Sequence, residues 1–384
     1  MEAVYLNNAA SSWPKAPGVI EAVSAVLAAP PVHPGRAARR DDPTAACRAG
    51  LARLLGGDPA ERARIVLTVN ATHALNLAIL GLDLEPGAGV VTTVTEHNSV
   101  LRPLNHLAQR EGIRVRLVGL DADGRIDERA WCAALADRPR LAVLNHASNV
   151  TGRIADAALL LGQARAAGAV TLLDAAQTLG HVPVHPTKLN ADLVAFTGHK
   201  GLHGPPGTGG LYVSPHLDLT QWFVGGTGVR SDLALHPADM PTRLEAGTPD
   251  APALAGLAAA LAWFERQGAA HCEREQRLAM RLRAGLRTCT GVQLFGATPP
   301  DESIGVVSFA VAGWGIEEAG YALSESFRIA CRTGLHCAPL IHAALGTAPA
   351  GTVRFSVSGF NSEADIDAAL DAVARLAARR RMAA

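Results

Sequence analysis

Lysine is the scarce reactive side chain in this sequence. Of 35 Lys and Arg residues only three are lysines: Lys15, Lys188 and Lys200. A lysine amine forms a Schiff base with an aldehyde, and desolvation can lower its pKa enough to make it reactive. Lys200 lies in DLVAFTGHKGLHGPPGTGGLYVS, where an apolar run ends at Phe196 and a glycine-rich turn leads into another. In α/β sheets, ligands bind beyond the carboxyl ends of strands. A lysine there is placed to act as a nucleophile, although a loop lysine taken alone is more often solvated. Lys15 follows Trp-Pro and Lys188 sits in a Pro/His loop, so neither ends a strand.

A second feature raises the weight of Lys200. AVTLLDAAQTLGH places Asp174 at the end of an apolar run, 26 positions before Lys200. A buried carboxylate is costly unless paired. The pyridinium nitrogen of pyridoxal phosphate needs such an anion, because protonation makes the ring an electron sink. Asp174 alone could be a helix cap; Asp and Lys on two successive strand ends are harder to dismiss. LTVNATHALNLAILGL reads as strand, turn and helix, with Asn70, Ala71 and Thr72 at the helix start. Free N–H groups there suit a phosphate, though ordinary capping gives the same pattern. In VTTVTEHNSVLRP, His97 follows another strand and could stack on a flat ring and move protons.

These residues require elements that bring strand ends together. Short β-rich runs (64–69, 89–94, 114–120, 140–147, 169–176, 192–198 and 209–214) alternate with segments of helical periodicity such as 127–138 and 156–168. Strands separated by helices of this length imply βαβ units and a mostly parallel sheet. The runs are apolar on successive residues, as expected when both faces are covered. The pattern changes near residue 250. A helical stretch over 252–288 with a break at Gly268, a strand over 305–313, a helix over 316–326, a strand-like 352–360 and a terminal helix from Ser362 suggest a smaller α+β unit. The expected division is an N-terminal arm over 1–15, a large domain over 16–250 and a small C-terminal domain over 251–384. The arm is expected to lie against the second domain or a partner subunit.

Composition narrows the classes. The chain has 384 residues, 48% hydrophobic and 18% charged, enough apolar material for a core. Formal net charge is +0, which gives no bulk attraction to nucleic acid or an anionic membrane. No uncharged apolar stretch reaches the roughly 18 residues of a membrane span. The start, MEAVYLNNAASSWPKAP, lacks a basic, apolar leader, so a cytoplasmic location is expected. The six cysteines show no metal-binding spacing and are expected to be mostly free thiols.

The motifs TEHNSVLRP, NHASNVTG, LLDAAQT, AFTGHKGLHGPPGTGGLY, RLEAGTPDAP and RTGLHCAPL occur in that order. Together they resemble the class V aminotransferase family, and within it the cysteine desulfurases, over nearly the whole chain. The resemblance implies the pyridoxal-phosphate-dependent transferase fold, that cofactor, and a homodimer with composite sites. It implies that Lys200 carries the cofactor, Asp174 pairs with the ring nitrogen, Gln177 reaches the ring oxygen and His97 stacks on the ring. Ala71, Thr72, Thr197 and His199 would hold the phosphate, with Thr248 reaching the phosphate of a partner subunit. Asn149 would lie near cofactor and substrate, and Arg354, assisted by Arg332, would hold the carboxylate of L-cysteine.

The resemblance also singles out Cys337 in RTGLHCAPLIH as the sulfur-accepting nucleophile, with Arg332, His336 and His342 nearby. Cys331 reads as a core residue. The implied reaction converts L-cysteine to L-alanine and leaves a persulfide on Cys337. Selenocysteine lyase and C–S lyase or β-elimination on a cysteine conjugate remain alternatives on the same scaffold, and a decayed, non-enzymatic site is a third. The sequence departs from the family at Asn7, usually Asp, at His73, usually Glu, and at Leu335, where many desulfurases have a second His. The short Cys337 loop resembles those of desulfurases that use an acceptor protein.

Overall fold

The computed structural model describes residues 3–30, 42–57, 59–296 and 302–381. In chain order the first elements are β1 (Val4–Tyr5), α1 (Val19–Leu27), α2 (Pro43–Leu54), β2 (Ile65–Thr68), α3 (Ala71–Gly81), β3 (Gly89–Thr93) and α4 (Asn98–Glu111). Next come β4 (Arg114–Val118), α5 (Glu128–Leu135), β5 (Leu141–Asn145), α6 (Ala157–Ala166), β6 (Val170–Asp174), β7 (Leu193–Thr197) and β8 (Gly209–Val213). The remainder is α7 (Ala251–Thr288), β9 (Val292–Phe295), β10 (Val306–Val311), α8 (Ile316–Phe327), β11 (Ile329–Ala330), α9 (Pro339–Ala344), β12 (Val353–Ser356) and α10 (Glu363–Arg381).

Seven strands form one sheet in the order β2-β8-β7-β6-β5-β3-β4. The pairs from β4 through β7 are parallel, and β8 runs antiparallel to both β7 and β2. The continuous apolar runs are explained by helices on both faces. Alternate residues Val91, Leu144, Leu173 and Phe196 pack with Leu51 of α2, Trp131 of α5 and Leu160 of α6. Their neighbours Val90, Val143, Leu172 and Ala195 pack with Leu75 and Ile79 of α3 and Leu104 of α4. Because β3, β5, β6 and β7 are parallel, the residues after Thr93, Asn145, Asp174 and Thr197 emerge along one edge.

A second, three-stranded antiparallel sheet has the order β12-β10-β9. Phe309 and Phe355 from this sheet pack with Leu323 of α8 and Val373 of α10. Beside it, β1 pairs in parallel with β11 in a separate two-stranded sheet, Val4 opposite Ile329, and Asn7 bridges Ser356 of β12. The architecture is therefore the α/β one expected, with a mostly parallel sheet and a smaller separate sheet.

One local expectation is corrected. Gly268 does not break a helix, because α7 is continuous over 38 residues. A lone glycine costs only about 1 kcal/mol against alanine in a helix, and α7 recovers more by packing at both ends. Leu254, Leu257 and Leu261 belong to the core of the large sheet, and Leu278, Leu282 and Leu286 to that of the small one. At Gly268 an added Cβ would come within 2.7 Å of the Phe264 ring, so glycine makes room for that side chain. Among the described residues no helix is both long and apolar enough to cross a membrane.

Candidate active site

The parallel strand ends open on a cavity of about 260 Å³ lined by Ala71, Thr72, His97, Asn149, Asp174, Gln177, Thr197, His199, Lys200 and Arg332. Ten residues named from the sequence thus meet in one place, drawn from the ends of six strands (β2, β3, β5, β6, β7 and β11) and the segments that follow them. Three do not line it. Thr248 is exposed, Cys337 lies in an adjoining groove, and Arg354 is fully buried on β12.

Lys200 follows β7 and Asp174 closes β6, as the strand ends suggest. Burial lowers the Lys200 amine to about 8; the Asp174 carboxylate opposes this, and Arg354 and Arg332 reinforce it. Asp174 is 5% exposed. Its Oδ1 accepts the Ala176 N–H at 2.9 Å. Burial raises its pKa, while that N–H and Lys200 hold it down. The pair provides an amine that is neutral at mildly alkaline pH and a buried carboxylate suited to a cationic ring nitrogen.

At the start of α3, the Asn70 side chain accepts the His73 N–H at 2.9 Å. That cap leaves the N–H groups of Ala71 and Thr72 free for an anion at the positive end of the helix. The Thr72 hydroxyl is already shared with Ser99 Oγ at 2.8 Å. Ser99 Oγ in turn lies 2.9 Å from His97 Nδ1, which also accepts the Ser99 N–H at 3.1 Å. His97 therefore caps α4 with Nδ1 as acceptor, which leaves its proton on Nε2. Burial, then the charges of Lys200 and Arg332, lower its pKa to about 4, so the imidazole is neutral at pH 7. Gln177 donates from Nε2 to the Ala9 carbonyl at 3.0 Å, which ties the arm to the cavity wall.

The Cys337 loop is held on several sides. Gly334 and Thr352 exchange two backbone hydrogen bonds of 3.1 Å. Asn149 Nδ2 donates to the His336 carbonyl at 2.6 Å, and the Asn98 N–H donates to the Cys337 carbonyl at 2.8 Å. His336 and Cys337 have φ of 50° and 61°, the left-handed region that ordinary side chains avoid. Arg332 Nη2 stands 3.3 Å from Cys337 Sγ. Burial instead pushes the Cys331 thiol up to about 12, in keeping with a core role.

Arg354 donates to the Asn149 carbonyl at 2.9 Å and to Asn7 Oδ1 at 3.4 Å, while its Nε has no partner among the described residues. An amide at position 7 leaves this guanidinium uncompensated, and burial lowers it to about 9. A substrate carboxylate would supply the missing anion. His73, the second departure from the family pattern, lies edge-on to Trp222 and Phe223.

Three residues escaped the sequence reading. Ser99 links Thr72 to His97, as above. Asn145 lines the cavity with Oδ1 unpartnered among the described residues. Glu96, immediately before His97, is 0% exposed. Its Oε1 accepts the Asn145 N–H at 2.9 Å and the Thr93 hydroxyl at 3.0 Å. The only available signal was a carboxylate inside an otherwise uncharged strand-end run.

Burial is the main force pushing Glu96 from its ordinary 4.5 up to about 8. The unfolded chain loses this proton first, so the stability it confers is full below about pH 4.5 and is lost as pH rises to about 8. Glu96→Gln is therefore expected to be more stable than the parent at pH 8, by roughly 2–5 kcal/mol, with the gap closing towards pH 4. Urea unfolding at several pH values measures this. Equal stabilities at pH 8 would contradict a buried neutral carboxyl.

Comparisons with known proteins agree with this geometry. The family model "Aminotransferase class-V" matches residues 4–369. A probable cysteine desulfurase of Pyrococcus abyssi is 32% identical over 98% of this chain and 94% of its own length. The cysteine desulfurase CsdA of Escherichia coli is 34% identical over 97% of this chain and 93% of the relative. Among solved structures, an apo cysteine desulfurase from Thermococcus onnurineus superposes with a TM-score of 0.90 at 31% identity, covering 98% of this chain and 94% of that one. Similarity of this extent, over nearly the whole chain, places it in the class-V aminotransferase family, among the cysteine desulfurases.

Proposed function

We propose that this protein is a pyridoxal-phosphate-dependent cysteine desulfurase that converts L-cysteine to L-alanine and takes the sulfur onto Cys337. The observation that carries the reading is the juxtaposition of two sites. A lysine and a buried carboxylate occupy one cavity, and a cysteine 3.3 Å from an arginine borders it. The residues present fit the cofactor. Among the described residues, Asp174 is buried with no guanidinium partner, the Oδ1 atoms of Asn145 and Asn149 have no donor, and the start of α3 offers N–H groups without a partner. When bound, pyridoxal phosphate supplies an electron sink for the amino-acid carbon skeleton.

This chain's own groups would then divide the work. Lys200 would hold the cofactor covalently and later carry a proton at Nζ. Asp174 would keep the ring nitrogen protonated. Ala71, Thr72, Thr197 and His199 would anchor the phosphate, and Gln177 would reach the ring oxygen. His97, neutral and fixed through Nδ1, would present a flat face and an Nε2 proton. Arg354, with Arg332, would hold the cysteine carboxylate near Asn149. The Cys337 thiolate attacks the substrate sulfur, so an S–S bond forms as the C–S bond breaks. The carbon keeps the bonding electron pair, gains a proton and leaves as alanine. The Cys337 persulfide then passes its outer sulfur to a separate acceptor.

Trp222, Phe223, Val224 and Leu235 are 44%, 52%, 61% and 84% exposed. An apolar patch of this kind suits an interface. Beside it, Thr248 is free to reach a second copy's phosphate, which supports a homodimer. All six cysteines are free, which supports a reducing, cytoplasmic setting. The proposed division is an arm, a cofactor-holding large domain to residue 250 and a small domain bearing the Cys337 loop.

Incubation with L-cysteine and a reductant tests this function. Alanine and sulfide are expected in equal amounts. Pyruvate and ammonia in place of alanine would show elimination instead, and turnover of selenocysteine alone would show a selenium-specific lyase.

A further inference from the structure

Cys337 does not line the cofactor cavity. It lines a separate groove of about 540 Å³ that runs between α3 and α4 and meets the cavity at Thr72, His97 and Ser99. Asn98, Arg102 and His106 stand one helical turn apart on α4 and form one wall of this groove. The Arg102 and His106 side chains are exposed, and neither has a hydrogen-bond or ion-pair partner among the described residues. None of the groove's lining residues is acidic. The cations that suit the substrate carboxylate, Arg332 and Arg354, are separate from these two. The groove thus has its own unmet demand for negative charge, next to the sulfur carrier.

Resting on the desulfurase reading, the geometry points to the α3–α4 groove as the docking site for the sulfur acceptor, and to a thiol that also carries carboxylate groups as the class of acceptor. Sulfur arrives from the cavity side and leaves on the groove side. The acceptor thiolate attacks the outer sulfur of the Cys337 persulfide. The acceptor's new S–S bond forms while the Cys337 S–S bond breaks, and Cys337 departs with the electron pair as a thiolate. Arg332 Nη2, 3.3 Å from Sγ, is in place to receive that charge. No outside oxidant or reductant is needed. Arg102 attracts the acceptor's carboxylates, and the His106 ring offers them an N–H donor.

The test separates loading from discharge. Full-length holoenzyme is loaded with one equivalent of L-cysteine, and alanine release is recorded. The persulfide is then discharged with mercaptosuccinate or with neutral 2-mercaptoethanol, and rates are compared per thiolate. The parent is expected to prefer mercaptosuccinate by about tenfold at low salt, and less at high salt, as steering by complementary charge implies. Arg102→Gln and the Arg102→Gln/His106→Gln double variant are expected to lose that preference while loading at the parental rate. Equal discharge by the two thiols, or a preference that survives in the double variant, would overturn the proposal. So would conversion of either variant to monomers in light scattering, which would show that a second copy fills the groove. A parent that never forms the persulfide would instead overturn the desulfurase reading on which this one rests.

Discussion

Lys200→Ala is expected to yield a folded protein that no longer takes up pyridoxal phosphate covalently and whose turnover falls by a factor on the order of 10³ or more. The absorbance of the bound cofactor reads the first effect and alanine release the second. Two arguments set the size. Lys200 is the lysine that lines the cavity, and it is the one placed against the Asp174 carboxylate. Lys15 sits outside, 3.2 Å from Ser12 Oγ. Lys15→Ala and Lys188→Ala should keep the bound cofactor. The pH dependence follows from the same environment. An amine attacks only when unprotonated, and burial brings Lys200 to about 8. Cofactor uptake by the apo protein should therefore rise through about pH 8 and level off above it. A rise centred near 10.5, the ordinary lysine value, would contradict the buried site.

Cys337→Ser is expected to separate cofactor chemistry from sulfur chemistry. The variant should bind pyridoxal phosphate with the parental spectrum, because Lys200, Asp174 and the start of α3 are untouched. Alanine and sulfide production should both fall by a factor on the order of 10³. A serine hydroxyl is a weak nucleophile and has no stable counterpart to the persulfide. The loop itself should survive. It is held through backbone groups of Gly334, His336 and Cys337, none of which the substitution alters. Full turnover in Cys337→Ser would remove the thiol from the mechanism and favour an elimination reaction.

Much of this site was legible because its residues obey local rules. Lys200 and Asp174 stood out as polar residues ending apolar runs, and a parallel sheet brings such ends to one edge whatever the loops do. The helix start at Ala71 was legible for the same reason. What was hidden depends on contacts across the fold. Glu96 reads as one more polar residue until β3 and β5 are seen to be neighbours, whereupon its carboxyl accepts the Asn145 N–H. Ser99 acquires its role only when α3 and α4 bring Thr72 within 2.8 Å. Gly268 misled for the opposite reason. Its intrinsic helix cost is local, but the packing that overrides it joins two cores far apart in sequence. The separation of Cys337 from the cofactor cavity was likewise invisible in RTGLHC, because the residues at which cavity and groove meet, Thr72, His97 and Ser99, come from the starts of α3 and α4.

If sulfur passes from cysteine to Cys337, the mass of that residue must show it. The holoenzyme is given one equivalent of L-cysteine without reductant, quenched with an alkylating agent and digested. The peptide bearing Cys337 is expected to gain the mass of one sulfur atom, in step with one alanine released, while the Cys331 thiol stays unmodified. Alanine release with no added sulfur on Cys337, or with the sulfur found on another cysteine, would contradict it.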